Sequence, residues 1–256
     1  MIEKLKTIQD DIKDYHSKDC ISASGLKLIY QKSLGHYLQK EYKQTPAMEL
    51  GVQVHDILQT SLEEFHEQYF VIPKLDMRLK KNKEFVEELK IENKTKAHIS
   101  NDNYKICLAI YTNAKNSNYV MPYLKGKHEL SHYGEYKGVP VRVRPDTLSN
   151  DWISDIKTTQ DNSPHKFKYT INSYAYNVQA VFYCDMLGYD PKKFRFISAE
   201  TNPPYHVDLH GMTDEQINKG RDGWKKAFYY WKKYLEDKEV TWYEGYERAE
   251  DGALII

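Results

Sequence analysis

The chain has 256 residues, with 37 Lys+Arg balancing 37 Asp+Glu and a composition that is 40% hydrophobic and 13% aromatic. That is enough chain for a substantial core, while a mean hydropathy of -0.76 and no apolar run near the ~20 residues of a bilayer crossing exclude a membrane span. The opening MIEKLKTIQDDIKDYHSKD is charged throughout and has no apolar secretory segment, so a cytoplasmic location is expected. Cys20, Cys107 and Cys184 are far apart with no CxxC pair, which excludes a disulfide framework or zinc knuckle and reads as packed thiols. Neutrality does not exclude nucleic acid, because electrostatic binding depends on where the charges sit rather than on their sum.

No repeat, low-complexity tract or Ser/Pro linker divides the chain, so a single domain is expected over 1–256. Its parts are a mainly helical segment over 1–125, a sheet with one helix over 126–200, and a strand and helix over 201–256. Residues 1–45 read as amphipathic helix, with Ser22 or Ser24 as N-cap before Leu26, Leu28 and Ile29. A second helix starts near Thr45 or Pro46. Along it Met48, Val52, Leu58, Leu62 and Phe65 recur at roughly helical spacing, while Gly51 and His55 stand four apart on one face. Glycine at 51 lets another backbone or a ligand approach closely. Two further helices are expected over 83–99 and 103–116.

From His128 the period changes to that of strands. The stretch HELSHYGEYKGVPVRVRPDTLSNDWISDIKTT is rich in β-branched and aromatic residues, alternates Val and Arg over 141–144, and carries two turn signals. The first turn spans Glu135 to Gly138, with Gly138 suited to a left-handed position. The second is Ser149, Asn150 and Asp151. With Asn150 and Asp151 as its central residues, Asp146 faces Asp155 across the hairpin, and period two adds Lys157 to that face. Like charges directly opposed destabilise a sheet, a conflict that a divalent cation removes. Glu129 lies in the preceding strand, and the hairpin through Tyr136 and Lys137 brings it toward the same face, although Pro140 and Pro145 leave its register open.

Beyond Lys157 the segment TTQDNSPHKFKYT leads into a helix expected over 172–187, where Gln179 and Tyr183 are four apart. A strand over 194–199 completes a strand, helix, strand crossover from Ile153 to Phe196. Val207 to Leu209 is a short strand, followed by a helix opened by the capping pair Thr213 and Gln216. Its stripe of Ile217, Trp224, Phe228, Trp231 and Leu235 reads as core packing.

An Asp closing one strand (Arg144-Pro145-Asp146), Asp155-Ile156-Lys157 on the next, and a helix carrying Gln179 and Tyr183 resemble the PD-(D/E)XK nuclease superfamily. More narrowly, the Ser-x-Leu-Lys ending at Lys27, Ala47-Met48-x-x-Gly51-x-x-x-His55, Glu129-Leu130-Ser131 and Asp155-Ile156-Lys157-Thr158-Thr159 resemble the catalytic domain of RecE-type exodeoxyribonuclease VIII, a phage recombination exonuclease related to lambda exonuclease. The resemblance runs from Ile21 to Tyr243-Glu244-Gly245-Tyr246. It implies an α/β (α+β) restriction-endonuclease-like core with a mixed central sheet flanked by helices. It also implies magnesium-dependent 5′ to 3′ degradation of linear double-stranded DNA, leaving 3′ tails for recombination. A ring of three or four subunits around the DNA and a single-strand annealing recombinase as partner follow from the same resemblance.

Phosphodiester hydrolysis itself needs a nucleophilic hydroxide, neutralised phosphoryl oxygens and a stabilised leaving oxygen, all of which carboxylate-held divalent cations supply. Asp146 and Asp155 are therefore assigned as metal ligands, joined by the Ile156 backbone carbonyl and by Glu129, directly or through water. Lys157 is assigned to orient or deprotonate the attacking water, since a nearby cation and partial burial lower a lysine's pKa. His55 resembles the family's helical metal-ligand histidine, and an imidazole in the set suits manganese substituting for magnesium. Gln179 and Tyr183 brace the site or belong to an ordinary amphipathic face. Arg142, Arg144, Lys166 and Lys168 are candidates for DNA phosphate contact or are solvated charge. Ser22, Ser24 and Lys27, at a helix start, are assigned to the DNA 5′ phosphate.

The chain lacks the four cysteines of iron-sulfur RecB-type nucleases and has no Walker A motif, so ATP-driven activity is not encoded. Two other readings keep the same residues: a structure-specific or restriction-type endonuclease, and a catalytically inactive DNA-binding module.

Overall fold

The chain begins with β1 (Glu3–Ile8), then α1 (Ile12–Ser17), the two-residue β2 (Ile21–Ser22), α2 (Ala23–Gln31) and α3 (Leu34–Leu38). The computed structural model describes residues 2–41, 43–243 and 249–254, so Glu244, Gly245 and Tyr246 lie outside the described residues. The expectation of helix throughout 1–45 fails at β1, which pairs antiparallel with residues 131–135 far along the chain. Its side chains are almost all exposed, so no local apolar pattern announces a strand whose hydrogen bonds come from a distant partner.

Next come α4 (Pro46–Gln59), α5 (Leu62–Gln68), β3 (Tyr69–Ile72), α6 (Lys80–Glu92), β4 (Ala97–Ser100) and α7 (Asn101–Lys115). Thr45 caps α4 through its side chain, with Pro46 at the first helical position, a residue pair that satisfies free N–H groups and presets the backbone. The apolar stripe read from Met48 to Phe65 spans two helices, because Ser61 and Glu64 form a capping box that starts α5. Met48 and Val52 are exposed, and α4 instead buries Gln53, Val54, Ile57 and Leu58. The helix expected to reach residue 99 stops at Glu92, and Ala97–Ser100 pairs in parallel with β3.

The central region holds β5 (Lys127–His128), β6 (Ser131–Tyr136), β7 (Val139–Val143), β8 (Thr147–Leu148) and β9 (Ile153–Thr159). Lys137 and Gly138 both have positive φ, at 50° and 76°, which makes the two-residue turn between β6 and β7 that matches strand twist. After β9 come α8 (Pro164–Ser173), α9 (Tyr176–Leu187), β10 (Arg195–Glu200), β11 (Val207–His210) and α10 (Asp214–Asp237). The single helix expected over 172–187 is thus the end of α8 and all of α9, separated at Tyr174 and Ala175. The Thr213/Gln216 capping box and the buried Ile217, Trp224 and Phe228 of α10 are as expected.

One sheet runs β1-β6-β7-β2 and a second β11-β10-β9-β8-β5, the latter mixed, with β9 and β10 parallel and the other pairs antiparallel. The second sheet separates two cores. Ile153 and Phe196 pack with α2, α9 and α10 on one face, whereas Ile156, Ile197 and Ala199 pack with α4, α5 and α7 on the other. Side chains alternate along a strand, so Asp155 and Lys157 share the α9 face. All three cysteines are free thiols, Cys107 and Cys184 buried. Among the described residues no helix is long and apolar enough to cross a membrane.

Candidate active site

Two hairpins that share one strand line up the acidic residues. The β6–β7 ladder ends at His132 opposite Val143, and the β5–β8 ladder resumes at His128 opposite Thr147, four residues further on each strand. The register is therefore unchanged across the interruption, which puts Glu129 opposite Asp146, and the Glu129 N–H donates to the Asp146 carbonyl at 3.2 Å. Glu129 has a positive φ of 48°, the conformation at which β5 ends and the chain leaves one sheet for the other. On its other side Asp146 follows the second hairpin. Thr147 pairs with Ser154 and Leu148 with Ile153 around the turn at Asn150 and Asp151, so the next step outward carries Asp146 to the level of Asp155. The sequence-derived register holds, and the one left open for Glu129 is resolved.

The shortness of β8 opens the sheet at this point. Ile156 N–H has no β8 carbonyl to meet and donates instead to Asp146 Oδ2 at 2.7 Å. The N–H and C=O of one strand residue point to the same edge, so the Ile156 carbonyl faces the same gap. Through that gap residues from both layers converge. From α4, His55 Nδ1 lies 3.3 Å from Asp146 Oδ2. From α9, Gln179 Nε2 donates to Asp155 Oδ1 at 2.9 Å and reaches the Tyr183 hydroxyl at 3.4 Å. Lys157 Nζ lies against the other oxygen of Asp155, a carboxylate with 0% exposure. Gly51 sits above Thr158, where a Cβ would meet only Thr158 Oγ1 at 3.6 Å, so no other part of the backbone makes the close approach expected at this glycine.

The electrostatics follow from burial of like charges. Burial, then the neighbouring Asp155 charge, pushes Asp146 up to about 6, against the opposing pull of His55 and Lys157. For Lys157, burial lowers the pKa, yet the Asp155 and Asp146 carboxylates outweigh it and hold the proton well above the usual lysine range. The lowering expected from the sequence rests on a nearby cation as well as burial, and the two adjacent carboxylates oppose it. Tyr183 is buried, and that burial raises its pKa.

Lys27 is drawn into the same cluster. Its ammonium donates to Gln179 Oε1 at 3.3 Å, which fixes the amide so that Nε2 faces Asp155. Burial, then repulsion from Lys157, lowers its pKa to about 8. Lys27 and Lys157 stand 5.1 and 4.9 Å from the centre of one ring, Tyr176. Sequence reasoning missed Tyr176. Its only signal is a position three residues before Gln179, one turn away on the same helix face.

The remaining candidates divide. Ser22, Ser24, Glu129, Arg144, Asp146 and Tyr183 line one cleft beside the acids, with the Ser22 hydroxyl accepting the Gly25 N–H as N-cap of α2 at 3.3 Å. Arg142 does not join them. It is 8% exposed and donates to the carbonyls of Tyr15 and Lys18, so its expected phosphate contact is corrected to an interior clamp. Arg144 stays on the cleft wall, half-buried, where it pairs with Asp10 at 3.1 Å and with Glu129 at 2.9 Å. That pairing also turns the Glu129 carboxylate toward an arginine rather than toward Asp155. Lys166 and Lys168 are exposed on α8, either side of the buried Phe167.

No three His, Cys, Asp or Glu side chains among the described residues close on one point at metal-ligand spacing. What fits a divalent cation is the donor chemistry: an imidazole beside one carboxylate, a second carboxylate next to it, and an Asp146 pKa raised by burial and by the Asp155 charge.

Residues 22–243 match a family model described as a PDDEXK-like domain of unknown function (DUF3799). Among solved structures, one from Eubacterium rectale described as a "putative exonuclease" has a TM-score of 0.60 at 16% identity, covering 92% of this chain and 89% of that one. A comparison with curated proteins gives no match.

Proposed function

The chain belongs to this PDDEXK-like family, and from that premise we propose that it is a metal-dependent nuclease, specifically a 5′ to 3′ exonuclease acting on linear double-stranded DNA. The observation that carries the reading is Lys157 against the buried Asp155, with Asp146 one strand away at a break in the sheet. A structural ion pair needs neither a second buried acid nor a gap leading to it.

Asp146, Asp155, His55 and the Ile156 carbonyl, with Glu129 directly or through water, would hold Mg2+, or Mn2+ in its place. A cation there would neutralise phosphoryl charge and lower the pKa of a water. The rest of the chemistry belongs to the chain's own groups. Gln179, held by Lys27, fixes one oxygen of Asp155 and with it the direction of the carboxylate. Lys157 is suited to orient or deprotonate the attacking water, and in its charged form to stabilise negative charge as it develops on the phosphate. The N-terminus of α2, with Ser24 at its first turn, faces the same cleft and suits a terminal phosphate. The same reading includes a ring-shaped homo-oligomer around the duplex and an annealing recombinase that takes the 3′ tail.

The test is digestion of linear duplex labelled at the 5′ or the 3′ end, in magnesium or EDTA, by the native chain and Lys157→Ala. Metal-dependent loss of the 5′ strand alone, abolished by the substitution while DNA binding persists, is expected. Nicking of closed circles would replace the reading with an endonuclease. Absence of cleavage in every divalent metal would replace it with a binding module.

A further inference from the structure

The break between α8 and α9 produces an arrangement that a continuous helix forbids. Tyr174 and Tyr176 are two residues apart, and on one helix such neighbours point in different directions. Here Ala175, buried and non-glycine, has φ 49° and ψ 40°, a left-handed conformation that L-residues adopt at a steric penalty. Strain of that kind persists where the surroundings over-determine it and clusters at binding and catalytic sites. Its consequence is that the two tyrosine rings stack, centroids 5.5 Å apart and planes 19° from parallel.

The stack has an inner and an outer end. The inner ring, Tyr176, lies 4.9 Å from Lys157 Nζ and 5.1 Å from Lys27 Nζ. The outer ring, Tyr174, is 60% exposed, so the face away from Tyr176 is open to solvent. Two short steps therefore lead from the reacting centre to a flat aromatic surface already aligned with another ring. That surface is within reach of a base near a phosphate held at Lys157, and every base offers a π-face to stack on it without regard to sequence.

We propose that the exposed face of Tyr174 is the stacking surface for a base at the 5′ end of the DNA, within two nucleotides of the bond to be cut. The proposal rests on the nuclease reading above and names the nucleobase contact of that same site. Tyr174 touches the substrate but no reacting atom, so its contribution is to binding and registration of the terminal nucleotides. Ala175 is a positioning residue that aligns the two rings.

The experiment uses duplexes carrying a normal base, an abasic residue or 2-aminopurine at the first or second nucleotide of the 5′ strand, with the native chain, Tyr174→Ala and Tyr174→Phe. On normal duplex, Tyr174→Ala is expected to raise KM about tenfold with kcat little changed, and Tyr174→Phe to behave as native. An abasic residue at the stacked position should weaken the native chain by the same factor and Tyr174→Ala not at all, the mark of a direct contact. Equal losses on normal and abasic duplex, or a loss with Tyr174→Phe, would overturn the proposal. Binding in EDTA separates it from the nuclease reading: quenching of 2-aminopurine by the native chain but not by Tyr174→Ala supports the stacking surface even if no cleavage occurs. Quenching that is absent, or equal in both, overturns it.

Discussion

The two arginines of β7 and the two lysines around Tyr176 carry the same charge and have opposite fates. Arg142 and Arg144 alternate with valines in a strand, the pattern of a cationic surface, yet both guanidinium groups are held by the protein, Arg142 on carbonyls of the N-terminal segment and Arg144 between Asp10 and Glu129 at the cleft wall. Lys27 and Lys157 come from elements 130 residues apart and meet on one ring beside the acids. Guanidinium, with five fixed donors, suits a buried structural junction. An ammonium on a flexible stem suits a site where a proton is held against carboxylates. Cationic residues near an active site are thus sorted by what covers them, which the strand pattern does not reveal.

That contrast can be broken most sharply at Lys157. Lys157→Met is expected to lower kcat by ~10²–10⁴-fold while DNA binding stays near native, measured on end-labelled duplex, and to lower the melting temperature as well, because the buried Asp155 loses its partner. In Arg144→Met the loss of stability should outweigh any loss of kcat. The substitution leaves Asp10 and Glu129 without their partner, so unfolding in urea should report a loss of about 3 kcal/mol; a loss near zero would return Arg144 to the surface contacts.

Asp146 sharpens the comparison through pH. Its folded pKa lies above the usual carboxylate value, so ionisation costs stability, a cost absent below about pH 4 and complete once pH passes about 6. In EDTA the native chain should lose up to about 3 kcal/mol across that window, and Asp146→Asn should remove the dependence and be the more stable of the two at pH 7. A flat profile for the native chain would mean that burial and the Asp155 charge do not raise Asp146 as placed. A smaller effect is expected at Lys27. Lys27→Met frees the Gln179 amide to turn, and about a tenfold fall in kcat with unchanged KM is expected. A rise in KM for 5′-phosphorylated ends alone would instead support the phosphate role read from the sequence.

Much of the fold was legible where the pattern is local. Thr45-Pro46, Thr213 with Gln216, and Lys137-Gly138 mark their boundaries because caps and tight turns are made by neighbouring residues. The pair Asp146 and Asp155 was legible for the same reason: a two-residue turn fixes register, and register fixes which carboxylates face each other. What was misread depends on distant partners. β1 and β4 look helical or featureless because their hydrogen bonds come from β6 and β3, and Met48 and Val52 look like core because nothing local indicates that α4 buries its other side. The break at Ala175 was invisible, since an alanine carries no signal for a left-handed conformation.

The sequence by itself determined the acids, the lysine after them and the turns that align them, because strand alternation and hairpin register act over a few residues. Only the tertiary structure decided that Glu129 faces Asp146, that Lys27 holds Gln179, that Arg142 turns inward while Arg144 pairs at the cleft wall, and that two tyrosines stack outward from Lys157. Those placements depend on which surfaces pack together, and packing joins residues whose separation along the chain carries no information about their distance in space.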